Sequence, residues 1–117
     1  MNLILHITRL EQWKQAESTG IYKGDTLSSD GFIHCSSPQQ VVKVANAVYH
    51  GQRGLVLLTI NPSKVRSEIR FEKSEGRELY PHIYGPLNVD AVVKVRSFEP
   101  NRDGKFILPA ELEDTRE

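Results

Sequence analysis

Asp30-Gly31-Phe32-Ile33-His34-Cys35-Ser36-Ser37-Pro38-Gln39-Gln40 alternates, stops, and restarts with a different period. A repeat of two from Phe32 to Ser36 sends Phe32, His34 and Ser36 to one face of a strand and Ile33 and Cys35 to the other. Ser37 then fits a helix N-cap. Pro38 fits the first helical position, where a missing N–H loses no partner, and Gln40 at the third position completes a capping box. The stretch predicts a strand running straight into a capped helix. His34 and Ser36 then stand beside free helix N–H groups, a seat for a small anionic or nucleotide ligand. The same residues also suit a plain strand–helix junction with one hydrogen-bonded histidine.

Working upstream, residues 3–7 form an apolar run with His6 inside it, short enough for a strand buried on both sides. Thr8 with Glu11 predicts a helix start, Leu10, Trp13 and Ala16 its apolar face, and Ser18-Thr19-Gly20 its end. Residues 21–23 read as a brief strand or turn and 24–30 as a polar loop. Downstream, a helix is expected from Pro38 to about Tyr49, with Val41, Val44, Ala45 and Val48 on one face. Residues 55–60, apolar in both registers, predict a central strand ended by Asn61-Pro62.

Residues 65–73 read as extended, with Arg70 and Glu72 on one face and Phe71 on the other, and 73–78 as a charged loop. Residues 79–87 carry Pro81 and Pro86 around His82, Ile83 and Tyr84, which predicts an edge strand or a rigid loop. Residues 89–98 read as a strand burying Val89, Ala91, Val93 and Val95. Residues 106–109 read as a last extended piece, and 110–117 as a frayed tail. The expected fold is α+β in one domain over residues 1–117: a mixed or antiparallel sheet with two N-terminal helices.

Hydrophobic residues make up 38% and charged residues 26%, and 15 lysines and arginines balance 15 aspartates and glutamates. Zero formal net charge argues against a broad nucleic-acid surface while leaving room for a local basic pocket. Cys35 is the one cysteine, so neither an intrachain disulfide nor a thiolate metal cluster is available. The opening residues are too short for a signal peptide and no apolar run reaches a membrane span, so the expected location is the cytoplasm.

His6, His34 and His82 all lie within apolar, strand-like sequence, where an unpaired imidazole would cost about 1–3 kcal/mol. Their convergence on one pocket is the expectation that organises the functional reading. A three-histidine metal site feeding a metal-dependent hydrolase is one alternative. Cys35 as a nucleophile is another, although it faces away from His34 on the same strand and also suits a small core position. The third combines His6, His34, Glu72 and His82 as catalytic groups with Ser36, Arg70 and Tyr84 around a ribose. A carboxylate steadies an oxocarbenium-like centre, imidazole and hydroxyl groups bond ribose and amide, and a tyrosine stacks on a base. Glu72 equally suits a surface ion pair with Arg70 or Lys73.

At residues 31–36, at Gln40, at Arg70-x-Glu72, and above all at residues 81–87, the chain closely resembles the domain of unknown function 952 family. Residues 4–7 match its pattern too, and the likeness runs from about His6 to Pro109. The resemblance implies a small bacterial-type domain with an ADP-ribosyltransferase-like fold, a split and strongly bent sheet with helices outside. In that superfamily a first-strand arginine or histidine, a second-strand serine or tyrosine, and a late glutamate or other polar residue surround NAD. The resemblance places His6 first, Ser36 or His34 second, and Glu72 or His82 third, with Gln40 among the ligand-binding residues. It implies NAD as a substrate and a small molecule as the partner. The expected function is binding of a nucleotide-like ligand with ADP-ribosyl-type transfer, the alternative being a non-catalytic ligand-binding or regulatory module.

Overall fold

Six consecutive buried residues, Leu55–Ile60, form the strand on which one sheet is built. The structure, a computed structural model, describes residues 2–73 and 76–113. In chain order the elements are β1 (Ile4–Arg9), α1 (Leu10–Thr19), β2 (Ile21–Tyr22), α2 (Leu27–Asp30), β3 (Ile33–His34), α3 (Val41–Val48), β4 (Leu55–Ile60), β5 (Glu68–Lys73), β6 (Leu79–Tyr84), β7 (Leu87–Asn88), β8 (Val92–Phe98) and α4 (Ala110–Glu113). All strand pairings are antiparallel and fall into three pieces, β1-β4-β8, β2-β7 and β3-β6-β5. None of the described helices is long and apolar enough to cross a membrane.

The alternation of β4 feeds two cores. Val56, Leu58 and Ile60 pack with Ile4, Trp13, Tyr22, Ile33, Cys35 and Ile83 on one side. Leu55 and Leu57 pack with Leu5, Ile7, Val41, Ala45, Phe98 and Phe106 on the other. The first core holds the β3-β6-β5 piece against the sheet through Ile33 and Ile83, and the second holds α3. The cleft between those two attachments is where the polar residues of β1 and β3 emerge.

Several expectations are corrected. The described residues form four α-helices where two N-terminal ones were expected. The polar loop holds the short α2, closed by Gly31 at φ +86°, and the tail begins with α4, whose Leu112 is buried at 1% exposure; residues 114–117 lie outside the described part, as do 74 and 75. Strand β1 runs through Thr8, which pairs with Val56, so long-range pairing overrides the local cap signal and α1 starts at Leu10 with no side-chain cap. The α3 ladder opens at Val41 after a turn, although the Ser37 N–H still donates to Gln40 Oε1 at 3.0 Å, half of the expected capping box. Residues 89–91 form a 3₁₀ turn, and Val93 and Val95 on β8 are exposed rather than buried. Finally, β6 is a central strand, neither edge nor loop.

Gly85 closes the turn after β6 at φ +148°, and a Cβ there would lie 2.5 Å from Ser67 Oγ, a hydroxyl that donates to the Pro86 carbonyl at 2.7 Å. Backbone strain and collision act together at this position. Gly85→Ala is expected to lower stability by about 1–3 kcal/mol, read as a shifted urea midpoint at unchanged slope.

Candidate functional site

Pro81 decides how the site is assembled. The Cys35 N–H donates to the Pro81 carbonyl at 3.0 Å, but proline has no N–H to return, so the β3–β6 ladder stops at His34. Ser36 instead exchanges two bonds with Leu5, N–H to O distances of 2.7 and 2.8 Å, on β1. The chain thus crosses from one sheet to another within two residues. Because bonded and non-bonded pairs alternate along an antiparallel ladder, the His34–His82 pair is of the non-bonded kind. Its side chains lie close, with ring centroids 5.4 Å apart, and the His34 carbonyl turns outward toward β1. There His6 Nδ1–H donates to it at 2.6 Å.

A cavity of about 710 Å³ opens at this crossing, and His6, His34, Ser36 and His82 all line it. Its α3 wall is apolar, Val44, Ala47 and Val48 followed by Tyr49, while Arg9, Asp25, Lys43 and Glu78 supply charge. Lys43 is ion-paired with Glu78, and Arg9 with Asp25 at 3.8 Å. Volume and mixed lining suit a ligand with an apolar ring and polar substituents.

His6 is fixed at both ring nitrogens, Nδ1 on the His34 carbonyl and Nε2 at 2.7 Å from the Tyr22 hydroxyl. Burial lowers its pKa to about 4, against an opposing contribution from the His34 carbonyl bond, so at neutral pH the ring is uncharged. The Tyr22 hydroxyl lies 2.8 Å from Thr8 Oγ1, and Thr8 donates to Gln12 Oε1 at 2.9 Å. Burial also pushes the Tyr22 phenol well up.

On β6, His82 is 3% exposed and its ring stacks on Phe32, centroids 4.0 Å apart. His82 Nδ1–H donates to Glu72 Oε1 at 2.9 Å, and Nε2 is buried with no hydrogen-bond partner. Glu72 also accepts the Tyr84 hydroxyl at 2.5 Å. Those two bonds, Tyr84 first, hold the Glu72 carboxyl below the usual range. Exposed His34 donates its Nε2–H to Asp30 Oδ2 at 3.0 Å.

Four of the sequence candidates stand outside the cavity lining. Glu72 and Tyr84 lie behind His82, so Glu72 reaches the cavity only through that imidazole. Arg70 forks onto Glu68 at 2.9 and 3.1 Å and lies 4.4 Å above the Tyr84 ring. Gln40 ties the start of α3 to the start of β6, donating to the Leu79 carbonyl at 2.8 Å. Arg70 and Glu72 share a face of β5 as expected, and the β5–β6 register puts His82 and Tyr84 on that same sheet face; strand order carries Arg70 and Glu72 too far out. Burial pushes the Cys35 thiol up, away from a reactive thiolate. Among the described residues no group of three or more His, Cys, Asp or Glu side chains is placed to hold a metal ion. The residues that sequence reasoning passed over are Thr8, Gln12, Tyr22 and Asp25, which extend the His6 bond network. Thr8 and Gln12 are four apart, a spacing that signals a side-chain contact only once the strand-to-helix turn between them is known.

A family model described as protein of unknown function (DUF952) matches residues 7–95. The crystal structure of protein CC0527 from Caulobacter crescentus is similar, with a TM-score of 0.87 and 31% identity over 95% of this chain and 98% of that one. A double-mutant crystal structure of the same protein gives the same values. Its solution NMR structure matches at a TM-score of 0.79 and 32% identity, over 90% of this chain and 91% of that one. No curated protein matches the chain.

Proposed function

The chain belongs to the DUF952 family, and on that premise we propose that its cavity binds a nucleotide-like small molecule of the NAD or ADP-ribose type and transfers an ADP-ribosyl or related group. The ADP-ribosyltransferase-like fold implied by the sequence resemblance belongs to the same proposal. One observation carries it: His6, His34, Ser36 and His82, from three separate strands and a bridge, line one cavity of about 710 Å³. The apolar α3 wall offers a surface for a base or nicotinamide, and Ser36 and His34 offer hydrogen bonds for ribose and amide. His82 is the group for acid–base work at the ribosyl centre. Its Nδ1 is held by Glu72, which leaves Nε2 for a proton. Glu72 is thus a positioning residue.

A second reading, a non-catalytic ligand-binding module, is favoured by the same carboxylate. A glutamate held by Tyr84 and His82 outside the cavity lining is not in place to steady an oxocarbenium centre directly.

NAD and ADP-ribose are both expected to raise the melting temperature by several degrees at saturation, since ligand bound only to the native state stabilises it by mass action. Nicotinamide release from NAD, lost in His82→Ala with ADP-ribose binding kept, supports transfer. Binding without release supports the module. Absence of a thermal shift with either ligand removes both readings.

A further inference from the structure

An unbroken run of contacts joins the His34 carbonyl to the Asp25 carboxylate through His6, Tyr22, Thr8 and Gln12, with separations of 2.6, 2.7, 2.8, 2.9 and 2.5 Å. Each is a hydrogen-bond distance, so each calls for a hydrogen. The carbonyl and the ionised carboxylate at the two ends only accept. Between them neutral His6, Tyr22 and Thr8 bring one hydrogen apiece. The Gln12 amide fills one of its two contacts, whichever way it is turned, because its other end is an oxygen. With His6 neutral, one contact is left with lone pair facing lone pair. One added proton on His6 fills every contact.

Burial opposes that proton, lowering the His6 pKa to about 4. The surroundings decide what can reverse the balance. Arg9 with Asp25, and Lys43 with Glu78, are opposite-charge pairs that leave the cavity with little net charge. Burial raises the pKa of Tyr22, Tyr49 and Cys35, so they stay uncharged. Besides Tyr80, the remaining titratable groups of the lining are the imidazoles of His6, His34 and His82. His82, which also lines the cavity, has a buried Nε2 with no hydrogen-bond partner.

We propose that the cavity takes up an anionic group together with one proton, the proton residing on His6 and completing the Tyr22–Thr8–Gln12–Asp25 chain. This rests on the cavity being the ligand site, and it assigns the ligand an anionic part, such as the phosphates of a nucleotide.

The test uses the full chain with isotope-labelled histidine, following the His6 ring nitrogens by NMR at about pH 6, near the ordinary histidine range. Sodium sulfate is compared with sodium chloride at equal ionic strength. Sulfate keeps its charge throughout, so any proton gained belongs to the protein. Sulfate is expected to shift His6 from neutral imidazole toward imidazolium, a gain in proton affinity of about tenfold or more. Thr8→Val removes one hydrogen and two contacts, leaving hydrogens and contacts equal in number, and should abolish the effect; Thr8→Ser should retain it. His6 unmoved by sulfate in the natural chain, or moved equally in Thr8→Val, overturns the proposal. A sulfate response without any thermal shift from NAD or ADP-ribose removes the nucleotide reading and leaves this one standing.

Discussion

Leu58→Ala is expected to lower stability by about 3–4 kcal/mol in chemical denaturation, while Val95→Ala on the facing strand changes it by less than about 1 kcal/mol. The two residues are direct partners across β4 and β8, so strand context is shared and burial is the variable. Leu58 is fully buried, whereas Val95 is 38% exposed at the sheet edge. Truncation at Leu58 removes three carbons' worth of transfer free energy and leaves a cavity in the core it shares with Ile33, Ile83 and Trp13. Leu58 is also the cross-strand partner of His6 on β1. Its loss should therefore loosen the strand pair that carries His6 as well as the core, visible as broadened His6 ring resonances. Equal effects of the two substitutions would mean that β8 is packed quite differently from what the register shows.

The strands with two apolar faces were legible because burial on both sides needs no knowledge of neighbours: Leu55–Ile60 reads as central from its own residues. Pro81 was misread for the opposite reason. A proline in a central strand is tolerable only if the ladder on its N–H side can end there, and whether β3 ends at His34 is a fact about another segment. Thr8 is an equally good N-cap and strand residue, and pairing with Val56 decided between them. The site divides along the same line. Period-two alternation told that Arg70 and Glu72 share a face, since parity is local; that His82 and Tyr84 join them needed the β5–β6 register. Alternation could not tell that β6 lies between β3 and β5, which leaves His82 at the cavity and Glu72 behind it. The contacts among Tyr22, Thr8, Gln12 and Asp25 depend on where a strand hands over to a helix, and a two-residue slip there would erase them.

Acid should destabilise the fold through His6, and the sign follows from the direction of its shift. Burial lowers its pKa from 6.5 to about 4, so between those values the unfolded chain holds the proton and the native state does not. Stability then falls as pH falls, beginning near the unfolded value and complete below the folded one. The full shift would correspond to about 3 kcal/mol, and the partial exposure of the ring argues for about 2–3 kcal/mol. Glu72, Asp90 and Glu111, each held low by hydrogen bonds, lose their own stabilising contributions further into acid. Subtracting the curve of His6→Gln from that of the natural chain cancels those carboxylates. In chloride buffer the difference should be flat above about pH 7 and fall steadily toward about pH 4. Sulfate should shrink that fall, because an anion in the cavity lets the native state hold the same proton as the unfolded one. A difference curve that stays flat to pH 4 in chloride would show His6 charged at no penalty in the folded chain, and the neutral, hydrogen-deficient network would then be wrong at its first link.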